Sequence, residues 1–201
     1  MSGCTFLDKV TIDSVLAMYR DNDYKIFDKG DYNLNIFGIR AKCNMSNSFN
    51  DAIGVLYKVN GIWQLFKCNA TTDPGLYYRE NPCNVKGTAV LATGYHKSAF
   101  KVGRHQGKYE ALVQNVPLPL HRDFNKDNVV DTDSQPLKEF AGINLHKAGR
   151  NSVQVDKWSA GCQVIASQKD WDEFMSLVHE SSRRYGSKFS YALFTEDMLI
   201  K

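Results

Sequence analysis

The chain has 201 residues, 43% hydrophobic and 23% charged, enough to bury a sizeable core as one domain. Its 25 basic and 22 acidic side chains leave a net charge of +3, too small an excess to argue for nucleic acid. No apolar run approaches the roughly 20 residues that cross a bilayer, so no membrane span is expected.

The first segment has no basic stretch followed by an apolar one. Asp8, Lys9, Asp13 and Arg20 interrupt it, so the expectation is synthesis in the cytoplasm without a signal peptide. Partial helical spacing of Val15, Leu16, Met18 and Tyr19 predicts a helix over Thr11 to Tyr24, capped by Thr11 or Asp13. Leu34 to Ile39 is strand-like. Ile53–Tyr57 and Ile62–Phe66 flank Asn60-Gly61, the strongest short hairpin signal in the chain. Thr71-Thr72-Asp73-Pro74-Gly75 predicts a turn-rich loop. Short strands follow at Thr88–Leu91, Phe100–Val102 and Tyr109–Val116, and residues 121–139 look polar and irregular.

Phe140–His146 and Cys162–Ala166 are expected as strands, with a loop over 147–161. Ser167-Gln168-Lys169-Asp170 resembles a capping box and opens the clearest helix. Trp171, Phe174, Val178 and Tyr185 are expected on one apolar stripe, with Gly186 as the stop. The expected fold is mainly β, of the α+β class, with about two helices. It is a single domain over 1–201, divided into a β-rich N-terminal part with a leading helix (1–86) and a second part (87–201).

Five cysteines, irregularly spaced and without a Cys-x-x-Cys pair, argue against a disulfide framework or a zinc site. Cys4, Cys43, Cys68 and Cys83 are expected as reduced, mostly packing residues. Cys162 is different. It follows Gly161, where a missing Cβ lets substrate approach the backbone, and stands sixteen positions after His146 at the end of an apolar run. A neighbouring imidazole can take the thiol proton, because the thiolate is the form that attacks carbonyl carbon. The Gly161 and Cys162 amides are candidates for an oxyanion site, and Ser159 for orienting the imidazole or contacting substrate. If His146 activates Cys162, its alkylation near neutrality outpaces that of Cys4. The alternative is a strand-end histidine and a buried thiol with no shared role.

His146 followed by Ser159-Ala160-Gly161-Cys162 resembles the signature of the L,D-transpeptidase (YkuD-like) catalytic domain, over roughly residues 87–200 and most strongly over 140–166. The longer run, from Thr71-Thr72-Asp73-Pro74-Gly75 through Arg122-Asp123 and Phe140–His146 to Trp158–Gln163, is similar to phage-encoded proteins with such a domain. The resemblance implies an L,D-transpeptidase-like β-sandwich or barrel and a peptidoglycan stem-peptide substrate. It makes Cys162 the acylated nucleophile, His146 the base, and Gly161, Cys162 and Ser159 the turn around them. Ala160 stands where the family usually has His, and Gln163 and Val164 where Arg or Asn is common. Trp158, Ala160 and Gln163 are then expected against substrate.

Tyr95, Arg104 and His105 are further candidates, since basic groups pair with stem-peptide carboxylates; the alternative is a solvated basic hairpin. No cofactor is required. Asp123, Asn125, Asp127 and Asp131 have the spacing of a calcium loop, although Asn128 and Ser134 replace the usual Gly and Glu. That segment holds either a structural calcium or a solvated Asx-rich turn. The expected enzyme is a monomeric cysteine peptidase of the endolysin type or an L,D-transpeptidase. It would reach the cell wall after membrane permeabilisation or from a virion. A papain-like order is excluded for Cys162, because the only later histidine, His179, falls in mid-helix. The alternative of another class is a non-catalytic wall-binding or virion structural module.

Overall fold

The computed structural model describes residues 6–43, 47–150 and 152–200; Cys4 lies outside the described residues. Eight strands close into a barrel. In chain order they are β1 (Asn35–Arg40), β2 (Asp51–Val59), β3 (Ile62–Thr71), β5 (Gly94–His105), β6 (Tyr109–Gln114), β9 (Leu145–Lys147), β10 (Gln163–Ile165) and β11 (Lys188–Thr195). Around the barrel the order is β1-β11-β5-β6-β9-β10-β3-β2. It interleaves strands from before and after residue 86. A separate sheet, ordered β4-β7-β8, is built from β4 (Thr88–Leu91), β7 (Leu118–Asp123) and β8 (Leu137–Glu139). The fold is therefore mainly β, with three α-helices among the described residues rather than about two: α1 (Ile12–Asp21), α2 (Leu76–Glu80) and α3 (Gln168–Tyr185).

Local chemistry accounts for the elements that sequence shows clearly. The Thr11 hydroxyl accepts the Ser14 amide and Ser14 returns the bond to the Thr11 amide, so Thr11, not Asp13, caps α1. Asn60 and Gly61 both take positive φ (50° and 77°), the backbone a two-residue hairpin turn requires. The Ser167 hydroxyl accepts the Asp170 amide at the start of α3. Trp171, Phe174 and Val178 are buried as expected, whereas Tyr185 is exposed and sends its hydroxyl to the Asp31 carbonyl.

The alternation of side chains in β1, β2 and β11 explains why all three are buried on both faces. Ile36, Ile53, Val55, Tyr191 and Leu193 join the main core, where α3 adds Trp171, Phe174 and Val178. Phe37, Ala52, Leu56, Ala192 and Phe194 face a second core closed by α1 and the preceding Phe6 and Val10.

Three expectations fail. Residues 121–139 are not wholly irregular, because Leu118 and Leu120 face the core and pair β7 with both β4 and β8. The strand expected over Phe140–His146 shrinks to Leu145–Lys147, since Gly142 takes φ 73° and bends the chain out of extension. Cys43 and Cys83 are exposed rather than packed; both are free thiols, as are the buried Cys68 and Cys162. Among the described residues no helix is long and apolar enough to cross a membrane.

Candidate active site

β9 and β10 run parallel and adjacent, with Leu145 opposite Gln163 and His146 opposite Val164. This register sets His146 beside the turn that precedes β10. His146 and Cys162 line one cavity of about 260 Å3, together with His105, Tyr109, Trp158 and Ala160. Both are nearly sealed, at 2% and 9% exposure.

The imidazole has a defined tautomer. Its Nδ1 lies 2.9 Å from the Lys147 carbonyl oxygen, which can only accept, so Nδ1 carries the proton. The Tyr109 hydroxyl stands 3.2 Å from the same nitrogen. Nε2 is left as a bare acceptor, buried and without a hydrogen-bond partner. The His105 ring stacks on His146 at 4.0 Å, and its own Nδ1 meets the Asn144 amide group at 3.0 Å. Burial first, then the neighbouring His105, pushes the His146 pKa down to about 4.

The thiol is held by backbone. The Asn144 amide donates to Sγ and the thiol donates to the Gly142 carbonyl, each at 3.5 Å. Burial pushes its pKa up to about 11, against a lowering by the Asn144 amide. The resting pair is thus a neutral thiol and a neutral imidazole. Sγ and Nε2 are not hydrogen-bonded to each other, so attack on a carbonyl would need the thiol proton to reach Nε2 across the cavity as the carbon–sulfur bond forms.

Gly161 has φ 119°, and a Cβ there would stand 2.4 Å from the Ala89 carbonyl oxygen. The small sheet therefore presses on the turn before Cys162, and only glycine fits. The Gly161 amide is already bonded to the Ser159 hydroxyl, 3.2 Å away, so it is not a free oxyanion donor. Ser159 itself is fully buried. It donates to the Cys162 carbonyl at 2.8 Å and so braces the turn, touching neither imidazole nor cavity. The Ser159 carbonyl accepts the Gly75 amide, tying the turn to the loop after β3.

Other expected substrate contacts divide. Trp158, Ala160 and His105 line the cavity. Gln163 points into the core, where its Oε1 accepts the Tyr191 hydroxyl at 2.8 Å. Arg104 is spent on the carbonyls of Gly107 and Lys108 in the β5–β6 turn. Tyr95 packs on Tyr24 and lines a separate cavity of about 560 Å3, which contains neither His146 nor Cys162. Tyr109, Tyr78, Gln106, Lys108 and Lys157 complete the lining of the cavity that holds His146 and Cys162, and nothing in the sequence singles them out. Tyr109 opens a recognisable strand, but nothing local to it signals an imidazole 37 positions away.

On the far side of Ala160 lies a polar cavity of about 300 Å3, containing Arg122 and Glu139, which pair at 2.5 Å. Among the described residues no three His, Cys, Asp or Glu side chains already converge as a metal site. No family model, curated protein or solved structure matches this chain.

Proposed function

We propose that this chain is a cysteine acyl-transfer enzyme that acts on peptidoglycan stem peptides through a thioester, as a phage-type cell-wall peptidase or an L,D-transpeptidase. One observation carries the reading: Cys162 and His146 line the same cavity, and the Nδ1 proton on His146 leaves Nε2 free as a base. The sequence resemblance supplies the substrate class. Lys108 and Lys157 on the cavity wall suit the carboxylates of stem peptides.

In the proposed reaction, Nε2 takes the thiol proton while Sγ attacks the peptide carbonyl carbon. The Cys162 amide is the oxyanion donor in this reading, since the Gly161 amide is bonded to Ser159. Collapse of the tetrahedral intermediate breaks the carbon–nitrogen bond. The leaving amine takes its proton from Nε2, and the acyl group stays on sulfur. Water then yields a carboxylic acid, whereas an acceptor amine yields a new peptide bond.

A second reading, a wall-binding or virion module without turnover, is favoured by the neutral resting pair, because an unactivated buried thiol is the ordinary inert case. Incubation with purified sacculi separates the two. The enzyme reading expects new muropeptides from the unmodified protein and at least about a 10³-fold loss in Cys162→Ala. Shortened stems indicate hydrolysis; new cross-links or exchanged termini indicate transfer. Sacculus binding with identical chromatograms from both proteins rejects the enzyme.

A further inference from the structure

The segment joining β7 to β8 carries a second cluster, remote in its chemistry from the thiol. Asp123 closes β7 opposite Thr88 of β4. It is fully buried, and neither carboxylate oxygen has a well-aligned hydrogen bond; the Asp131 backbone amide is the one donor near it. A buried carboxylate with so little hydrogen bonding costs several kcal/mol unless cations stand near it. Asp131 and Asp127 stand close enough to repel it, and Arg79 to attract it. Arg79 is committed to the same loop through Nη1, which donates to the Asn128 carbonyl at 2.7 Å. Arg79 also feels Asp73, Glu80 and Asp127, so this end of the small sheet holds more carboxylates than cations, and the Asp123 pKa is pushed up to about 6 by burial first and then by Asp131 and Asp127.

Asn125 occupies the middle of this arrangement. Its Nδ2 donates to Asp127 at 3.0 Å and to Asp131 at 2.7 Å, so a single amide nitrogen bridges two carboxylates with its partial positive charge. A hard divalent cation placed there would meet the same carboxylates, and turning the Asn125 amide would add its oxygen.

We propose that Asp123, Asn125, Asp127 and Asp131 bind one calcium ion, with the buried Asp123 carboxylate as the ligand that anchors it to the small sheet. All donors are oxygen, the set that calcium prefers over zinc. The ion would fix the connection whose two ends bear Arg122 and Glu139, the pair in the polar cavity beside Ala160. This proposal does not depend on the acyl-transfer reading.

Calorimetric titration of the chelator-treated full chain with calcium chloride, paired with thermal melting, tests it. The expected result is one bound ion per chain. Calcium at about a hundred times its dissociation constant should raise Tm by roughly 5–10 °C. Asp127→Asn, at an exposed position, should weaken binding at least about tenfold without lowering the chelated Tm. Asp123→Asn should lose the calcium response and melt at or above the chelated wild-type temperature, since it removes a buried charge. Absence of heat with a Tm change under about 1 °C at roughly 10 mM calcium would overturn the proposal. A calcium response in Asp127→Asn equal to that of the unmodified protein would overturn it as well.

Discussion

Two buried polar regions meet at the Cys162–Gln163 peptide, and they are finished differently. On the Gln163 side, Arg40 pairs with Asp73 at 2.7 Å and donates to the Thr72 and Leu91 carbonyls. Asp51 accepts the Ala41 amide and both the amide and hydroxyl of Thr72. Gln163 and Tyr191 bond to each other at 2.8 Å. On the Cys162 side, the His146 Nε2 is buried without a partner and the thiol has only long contacts to backbone. The first network specifies structure, although Asp73 Oδ1 meets Arg40 as an ion pair without a well-aligned hydrogen bond, while a buried imidazole nitrogen with neither kind of partner is stability forgone. In the acyl-transfer reading, scaffolding falls to one side of the peptide and chemistry to the other.

The sharpest way to break the contrast is to cut the scaffold. Arg40→Leu removes the cation that pairs with Asp73 and holds down the Asp51 pKa, which burial and Asp73 raise. The expected cost is about 3–5 kcal/mol, or roughly 10 °C in Tm for a chain of this size. Urea and thermal unfolding check it. A loss under about 1 kcal/mol would show that the network is not the rigid half of the comparison.

Acid should weaken the other side. Burial holds His146 at about 4, below the usual histidine value of 6.5, so the unfolded chain takes up a proton between those values and the folded chain does not. This contribution is fully present above pH 6.5 and is lost as pH falls through about 4, by roughly 3 kcal/mol. His96, also held at about 4 by burial, acts in the same direction, whereas Asp51, raised to about 7 by burial and Asp73, acts in the opposite one. The clean measurement is therefore a difference. The stability gap between the unmodified protein and His146→Gln should change by about 3 kcal/mol between pH 7 and pH 4. A gap independent of pH would mean that His146 is ordinarily solvated. In the acyl-transfer reading the rate should show its acid limb near the same pH of about 4, because the base must be unprotonated.

What the sequence reveals, and what it hides, follows the range of the interactions. The hairpin at Asn60-Gly61, the Ser167 cap and the stripe from Trp171 to Val178 are set by residues within a few positions of one another, so they are legible. β7 is hidden because Pro119, His121 and Arg122 dilute an alternation that only Leu118 and Leu120 carry into the core. Gly142 looks like part of a strand until its positive φ is known. At the site, Cys162 and His146 are legible from residue type and spacing. The assignments of Ser159, Gln163, Arg104 and Tyr95 were not, because each depends on an orientation. Gln163 follows Cys162, yet it turns inward to a tyrosine 28 positions later.

The smallest expected effect tests how the base itself is held. The Lys147 carbonyl, 2.9 Å from Nδ1, fixes the tautomer alone, and the Tyr109 hydroxyl adds a second, longer contact. Burial, with a smaller push from Cys162, lifts the Tyr109 pKa to about 12, so the hydroxyl stays protonated at any working pH. Tyr109→Phe keeps the ring that faces His105 and lies under the Lys147 ammonium, and removes only the hydroxyl. One ordinary hydrogen bond corresponds to about 1 kcal/mol, so turnover on the sacculus product should fall roughly 3–10-fold with KM unchanged. The acid limb of the rate should stay near pH 4, since burial rather than the phenol sets the imidazole. A loss exceeding about 100-fold would mean that the hydroxyl meets the reacting atoms directly, as a proton donor or oxyanion contact. An unchanged rate would leave the backbone carbonyl as the sole support of the base, and the open side of the molecule would then rest on a single contact.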